Sequence, residues 1–280
     1  EIVKRENPKV QAALEMEINT KEAAASVVDY LTYEGLEEEK EKFWLDVAHF
    51  QKFHEQYVKH MRTDEEEKLL SQIDTLFAEF EVIAGELFKL KDAQDKLIED
   101  RGVILNDKVD VILDEKLGRL AHGDGEKDIA VREMEINVHE LISATRGYLI
   151  TGKQFLKDRI TDSEQDFNKA KKTYAALELS DEEQDIFSEL KGYWEKIVAQ
   201  TSEIVRLEDK KRELSEVLEE NRHKMDDILD EQIQTVAMSK ITADETRTLA
   251  VISTVLATII VICFLVVIVS AYISRSISRP

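Results

Sequence analysis

The chain has 280 residues, of which 35% are charged, and its formal net charge is −21. This acidic excess argues against nucleic acid and anionic lipid headgroups as partners. Because Cys263 is the only cysteine, an intramolecular disulfide is excluded. The only prolines are Pro8 and Pro280, and strand-forming residues do not alternate with period two. The sequence therefore predicts an all-α fold that is stabilised by helix packing.

Glycines and capping residues indicate where the helices begin and end. Gly35 and Gly152 are suited to ending helices in left-handed caps. Thr63–Glu66 and Ser180–Glu183 have the capping-box spacing that starts a helix, and Gly123–Gly125 divides the chain into two halves. The predicted helices, four short and two long, are 9–34, 37–61, 64–121, 126–151, 154–177 and 181–248.

The two halves repeat one another. Met16–Asn19 recurs as Met134–Asn137, and Ile112–Glu115 recurs as Ile228–Glu231. Tyr-Leu and Asp-Glu-Glu motifs recur in the same order at similar offsets, which indicates duplication. Each half supplies two short helices and one long helix, so neither closes a four-helix core alone.

This arrangement predicts two stacked four-helix bundles. The membrane-proximal bundle would consist of residues 9–90 with 208–248, and the distal bundle of residues 91–207. Together they would form one extracytoplasmic domain, 1–248.

The uncharged stretch Leu249–Ile273 predicts a transmembrane helix, since its 25 residues are enough to span a bilayer. Of the 38 Lys and Arg residues, only Arg275 and Arg279 follow this stretch. The other 36 precede it, as do all 59 acidic residues, so the region before the stretch has a net charge of −23. Positive residues stay in the cytoplasm. We therefore expect residues 1–248 to lie outside the inner membrane, with an upstream anchor removed.

The layout of four short and two long helices resembles the helical bimodular sensor domain of bacterial chemoreceptors and sensor histidine kinases. The segment Arg146–Gly152 is similar to a motif of extracellular helical sensors, including the CHASE3 type. In the first half only Tyr30-Leu31 of that motif is kept. The tail Ser274–Pro280 resembles the entry to a HAMP signal-relay domain.

The resemblance implies a non-enzymatic, homodimeric receptor that passes a helix shift to HAMP. A methyl-accepting chemotaxis receptor is the first interpretation, and the input domain of a sensor histidine kinase is the alternative. Its partner would be a small-molecule ligand, which the resemblance suggests is an organic acid, or a periplasmic binding protein. A non-sensing stalk or a protein-docking module remains the competing class.

One candidate binding surface lies on the helix 126–151. Arg132, His139 and Arg146 follow one another at intervals of seven residues, so they line one side of that helix. Arginine suits bidentate binding of a carboxylate, and Tyr148 and Thr151 could add hydroxyl donors. The alternative is a solvated face with acidic neighbours.

Polar residues also interrupt the predicted core at equivalent heights in both halves. Asn19 and His54 do so in the first half, where Tyr30 completes the candidate site. Asn137 and Lys171 do so in the second half. They would either form the polar floor of a ligand pocket or make structural hydrogen bonds that fix helix register.

The sequence contains no Gly-rich phosphate loop, no metal-ligand spacing and no nucleophile–base pair. It therefore predicts no metal, no cofactor and no catalytic residues.

Overall fold

A computed structural model describes residues 3–33, 36–61, 63–234 and 253, and within them the chain forms helices and no strand. The α-helices are α1 Val3–Thr32, α2 Glu37–His60, α3 Asp64–Ile104, α4 Gly118–Ala121, α5 Gly125–Thr151, α6 Gln154–Ala175 and α7 Asp181–Asp227. The wider π-helical segment Leu105–Leu117 joins α3 to α4 without a break, and a second, Ile228–Gln234, continues α7. Within the described residues the predicted all-helical class and six helical stretches are thus confirmed, and residues 235–248 of the sixth predicted helix lie outside them.

The predicted membrane segment, Leu249–Ile273, lies outside the described residues except for Ser253. The predicted HAMP-like tail, Ser274–Pro280, and the predicted helix cap at Gly35 lie outside them as well. In the part of the chain that the structure describes, no helix has the length and apolar character needed to cross a membrane.

Both predicted capping boxes form. The Thr63 and Ser180 backbone N–H groups donate to the carboxylates of Glu66 and Glu183, at 3.1 and 2.7 Å. In return, each glutamate N–H donates to the hydroxyl oxygen of its partner at 3.2 Å. These bonds satisfy backbone donors that the first turn of a helix leaves free, so α3 and α7 begin where the sequence predicts.

The chain divides into two compact units. The first comprises the described residues within 1–28, 37–81 and 219–280, and the second comprises 29–36 and 82–218. Three of the boundaries, after residues 28, 81 and 218, fall within α1, α3 and α7. These three helices therefore supply residues to both units.

Aromatic stacking dominates the core of the first unit. The rings of Phe50 in α2 and Phe77 in α3 lie 3.6 Å apart between centroids, with an interplanar angle of 11°. Phe43 and Phe80, both fully buried, stack at 6.0 Å. Their spacing of seven and three residues places them on one stripe of each helix, so α2 packs against α3 along an aromatic seam.

The second unit has a core built from α5, α6, α7 and the first π-helical segment. Phe167 and Trp194 stack at 3.7 Å between centroids, and both are buried. On α5 the buried stripe runs through Met134, Leu141 and Tyr148, at intervals of seven residues. The period-3.6 pattern of the sequence therefore corresponds to the buried face of this helix.

An ionic cluster accompanies the capping box of the first unit. Lys9 Nζ lies 2.8 Å from Glu66 Oε1, and both side chains are fully buried. The Tyr57 hydroxyl donates to the same oxygen at 3.4 Å. One glutamate thus caps α3 and joins it to α1 and α2.

The second unit repeats this cluster with equivalent residues. Lys127 Nζ lies 2.9 and 3.0 Å from the two carboxylate oxygens of Glu183, and the Tyr174 hydroxyl donates to Oε1 at 3.4 Å. Each member follows its counterpart by 117 or 118 residues. The duplication seen in the sequence therefore extends to the tertiary contacts of each unit.

Candidate functional site

The three basic residues predicted to line one side of α5 are exposed, but they have different neighbours. Arg132, His139 and Arg146 are all exposed. Arg132 Nε lies 3.1 Å from Asp128 Oδ2, within its own helix. Arg132 and Arg146 are 14 residues apart, which is about 21 Å along a helix. One small ligand therefore cannot contact both arginines.

His139 lies seven residues from each arginine, which is about 10 Å along the helix. It acts electrostatically on Asp110 and Glu135. Burial raises the pKa of both carboxyls, and the nearby charge of Asp114 raises them further, whereas His139 opposes this rise. Among the described residues, no group of three or more His, Cys, Asp or Glu side chains is arranged to hold a metal ion.

The Tyr148 hydroxyl, predicted as a ligand donor, donates to Asp209. Lys157 Nζ lies 2.5 Å from the other oxygen of that carboxylate and 5.1 Å from the centre of the Tyr148 ring. Burial alone would raise the pKa of Asp209, but the hydrogen bonds from Lys157 and Tyr148 outweigh it and lower that pKa. Tyr148 thus joins α5 to α7 through a charged network.

The other predicted residues of the second unit make local contacts. The Thr151 hydroxyl donates to the Gly147 carbonyl at 2.8 Å, and the Asn137 amide donates to the Glu133 carbonyl at 2.7 Å. Lys171 is half-buried. Thr151 and Asn137 therefore bond one turn back along α5.

The predicted proximal residues belong to different units. Asn19 and His54 are in the first unit, whereas Tyr30 is in the second. The buried Asn19 amide donates to the Glu15 carbonyl at 2.6 Å, and His54 Nε2 lies 2.7 Å from Asp74 Oδ1. The Tyr30 hydroxyl donates to Asp92, as its equivalent Tyr148 does to Asp209.

The structure adds one residue that sequence reasoning missed, Arg101 in α3. Its side chain is buried, and Nη1 donates to the Thr201 hydroxyl in α7 at 3.0 Å. Burial, followed by the nearby charge of Arg146, lowers the pKa of Arg101 to about 10. A sequence signal existed, because Arg101 follows Phe80 and Leu87 by 21 and 14 residues, which places it on the stripe of α3 that those two apolar residues mark.

A cleft of about 640 Å³ lies in the second unit. Some of the residues that line it are close to Arg101 and Arg146 in the sequence. Its lining includes Ile98, three residues before Arg101, and Leu149, three residues after Arg146. The cations that line this cleft are paired: Lys91 lies 2.6 Å from Asp95, whereas Lys211 and Arg212 lie 2.8 and 2.9 Å from Glu208. Arg101 and Arg146 are different, since no ion pair with a carboxylate involves either of them within the described residues.

The sequence matches no protein-family model and no curated protein sequence.

Proposed function

We propose that this chain is the ligand-sensing and membrane-anchoring part of a bacterial transmembrane signal-transduction receptor of the chemotaxis type. The observation that carries the proposal is the uncharged stretch Leu249–Ile273, followed at once by Arg275 and Arg279. Positive residues at the end of a membrane segment stay on the cytoplasmic side, so Arg275 and Arg279 would lie inside and the large helical region outside.

The course of α7 supports the same proposal. This helix runs from Asp181 to Asp227, and its π-helical continuation reaches Gln234, so 14 residues separate it from Leu249. Shifts between packed helices are typically on the order of 1–2 Å. If a ligand changed the packing of α7, the shift of this helix would therefore be transmitted along the same chain to the membrane segment.

Cysteine labelling tests the topology. In a Cys263→Ser background, the exposed Asp162→Cys and the tail variant Ser278→Cys would each be treated with a membrane-impermeant maleimide in intact and in permeabilised cells. We expect Asp162→Cys to react in intact cells and Ser278→Cys to react only after permeabilisation. The opposite labelling pattern, or recovery of the chain outside the membrane fraction, would reject the proposal.

A chimera tests signalling. Residues 1–280 would precede the HAMP and signalling domains of a characterised chemoreceptor, and kinase output would be measured in cells exposed to small molecules. A dose-dependent change in output supports a sensor. Constant output across the tested molecules, with the chimera correctly inserted, would favour a stalk or a protein-docking module.

A further inference from the structure

The cleft of the second unit is lined by equivalent residues from both halves of the duplication. Pairs of lining residues that are 117 or 118 positions apart are Leu31 and Leu149, Lys91 and Glu208, and Asp95 and Arg212. The first pair belongs to the last turns of α1 and α5, and the other two pairs belong to α3 and α7. The cleft therefore presents the same structural positions twice, once from each half.

Arg212 shows how one of these positions binds a cation. Its Nη2 donates to the Leu149 carbonyl in the last turn of α5 at 3.2 Å, and its Nε lies 2.9 Å from Glu208 Oε1. The centre of the Tyr148 ring lies 5.9 Å from the guanidinium carbon. The last carbonyls of a helix carry partial negative charge, so a cation is stabilised there. At the end of α5, a guanidinium of the chain itself fills this place.

The equivalent ion pair of α3 has the opposite order of charge. Glu208 precedes Arg212 by four residues in α7, whereas Lys91 precedes Asp95 by four residues in α3. The position that holds an arginine beside the last turn of α5 therefore holds an acid in the other half. A carboxylate near the C-terminal end of a helix is unfavourable, because both carry negative charge. A cation between Asp95 and the last turn of α1 would remove this repulsion.

Lys91 pairs with Asp95 from the buried side. Its Nζ lies 2.6 and 2.7 Å from the two carboxylate oxygens of Asp95. The Lys91 side chain is 10% exposed, whereas that of Asp95 is 38% exposed. The carboxylate is therefore the accessible member of this pair at the cleft.

A second carboxylate of the cleft has no cation beside it. Glu216 is exposed and lines the cleft, and no ion pair or hydrogen bond involves its side chain within the residues that the structure describes. The cations that line the cleft are paired with Asp95 or Glu208. Among the charged lining groups of this part of the chain, the one left without a partner is thus an anion.

We propose that this cleft binds a small organic cation, an alkylamine or alkylguanidinium compound, with Asp95 and Glu216 as its anionic contacts. The charged group of the ligand takes, at the last turn of α1, the place that Arg212 takes at α5. Its hydrocarbon part contacts Leu31 and Ile98, which are apolar residues of the same cleft. A volume of about 640 Å³ is in the range of small-molecule sites.

A cationic ligand differs in charge from the organic acid that the sequence resemblance suggests. The inference deepens the proposed function and rests on it for the role of the ligand, whereas binding of a cation can be measured independently.

Calorimetry and thermal unfolding of the full chain in detergent micelles test the site. The probes are putrescine and agmatine, with butanediol as an uncharged control of matched length. Sodium chloride at about 0.15 M screens diffuse attraction to the acidic surface. We expect at least one of the two amines to bind and to raise the melting temperature, and butanediol to do neither. Equal effects of amines and diol, or absence of binding by both amines, would overturn the site.

Variants of two glutamates in α7 separate the site from the general negative charge of the chain. Glu216→Gln should fold as the unmodified chain does and should weaken amine binding about three- to fivefold. Glu195→Gln removes the same charge from an exposed position about 30 Å away along the helix, and it should bind amines normally. An equal loss of affinity in both variants would overturn the site.

Exchange of the charges in the α3 pair is the sharper test. The double variant Lys91→Glu, Asp95→Arg copies the order of Glu208 and Arg212, so the chain itself would supply a guanidinium at the end of α1. We expect amine affinity to fall about tenfold or more, and the melting temperature of the unliganded chain not to fall. Retained affinity in the folded variant, or a lower melting temperature, would contradict a cation position at the end of α1.

The labelling experiment distinguishes failure of this site from failure of the wider proposal. Outward topology without amine binding would leave the receptor function standing and reject the cation site. Amine binding in a chain whose topology is reversed would do the opposite.

Discussion

Lys127 donates hydrogen bonds to both carboxylate oxygens of Glu183, at 2.9 and 3.0 Å. The two residues are 56 positions apart, and Glu183 also caps the helix in which it lies. One carboxylate thus joins α5 to α7 and fixes the beginning of α7.

This contact predicts that the stability of the fold decreases at acidic pH. Burial alone would raise the pKa of Glu183, but the bonds from Lys127 and Ser180 outweigh it and lower that pKa. The stabilisation is complete above the ordinary pKa of a glutamic acid and is lost as the pH falls through the lowered value. We expect Glu183→Gln to lower the free energy of unfolding by about 1–3 kcal/mol at neutral pH.

Urea denaturation between pH 7 and pH 3 checks this. The difference between Glu183→Gln and the unmodified chain should shrink as the pH falls. A difference that stays constant over this range would show that the charge of Glu183 does not contribute.

The two capping boxes predict matched effects at the starts of α3 and α7. Thr63→Ala and Ser180→Ala each remove the side-chain acceptor of one first-turn N–H, at a cost of about 1 kcal/mol. Thr75→Ala is the control, because its hydroxyl bonds only to the Ser71 carbonyl within α3. It should change the free energy of unfolding by less than about 0.5 kcal/mol. Equal effects for all three variants in urea denaturation would contradict the prediction.

Replacement of two glycines by alanine should change the stability in opposite directions. Gly152 has φ 64°, and an added Cβ would meet the Arg212 guanidinium, so Gly152→Ala should destabilise by more than about 1 kcal/mol. Gly192 lies within α7 with open space around it, so Gly192→Ala should stabilise by about 0.5–1 kcal/mol. Melting temperatures of both variants check the signs. Adding Arg212→Ala to Gly152→Ala should recover the part of the loss that is steric.

The environment of Tyr148 predicts that the stability of the fold decreases at alkaline pH. Burial, and then the hydrogen bond to Asp209, raises the pKa of Tyr148 above its usual value of 10.0. The folded state therefore holds this proton more tightly, and the associated stability falls as the pH rises above 10. Tyr148→Phe should cost about 1 kcal/mol at neutral pH. That deficit should shrink in alkaline urea denaturation, and a deficit that grows with pH would contradict the assignment.

Local features of the fold were predictable from the sequence, because their causes are local. The capping boxes at Thr63 and Ser180 and the left-handed cap at Gly152 depend on a few neighbouring residues. Apolar spacing likewise identified the buried side of α5, including Met134 and Tyr148. Backbone geometry and period determine these features without knowledge of tertiary contacts.

The candidate site was less predictable, because it depends on contacts between distant residues. Arg101 and Thr201 are 100 positions apart, and no local pattern shows that they meet. Counting along a hairpin gives the height of Asn19 but not the direction of its side chain, which bonds to its own helix at Glu15. Arg146 stays a prediction, and its charge adds to the lowering of the Arg101 pKa.

The duplicated halves have diverged unevenly. The Lys–Glu–Tyr contacts around Glu66 and Glu183 are present in both copies, whereas Arg101 has an apolar counterpart in Leu218. Arg101 and Leu218 are both 3% exposed, so the same buried repeat position holds a charged residue in one copy and an apolar residue in the other. The Lys–Glu–Tyr contacts are therefore the part of the repeat on which both units depend in the same way.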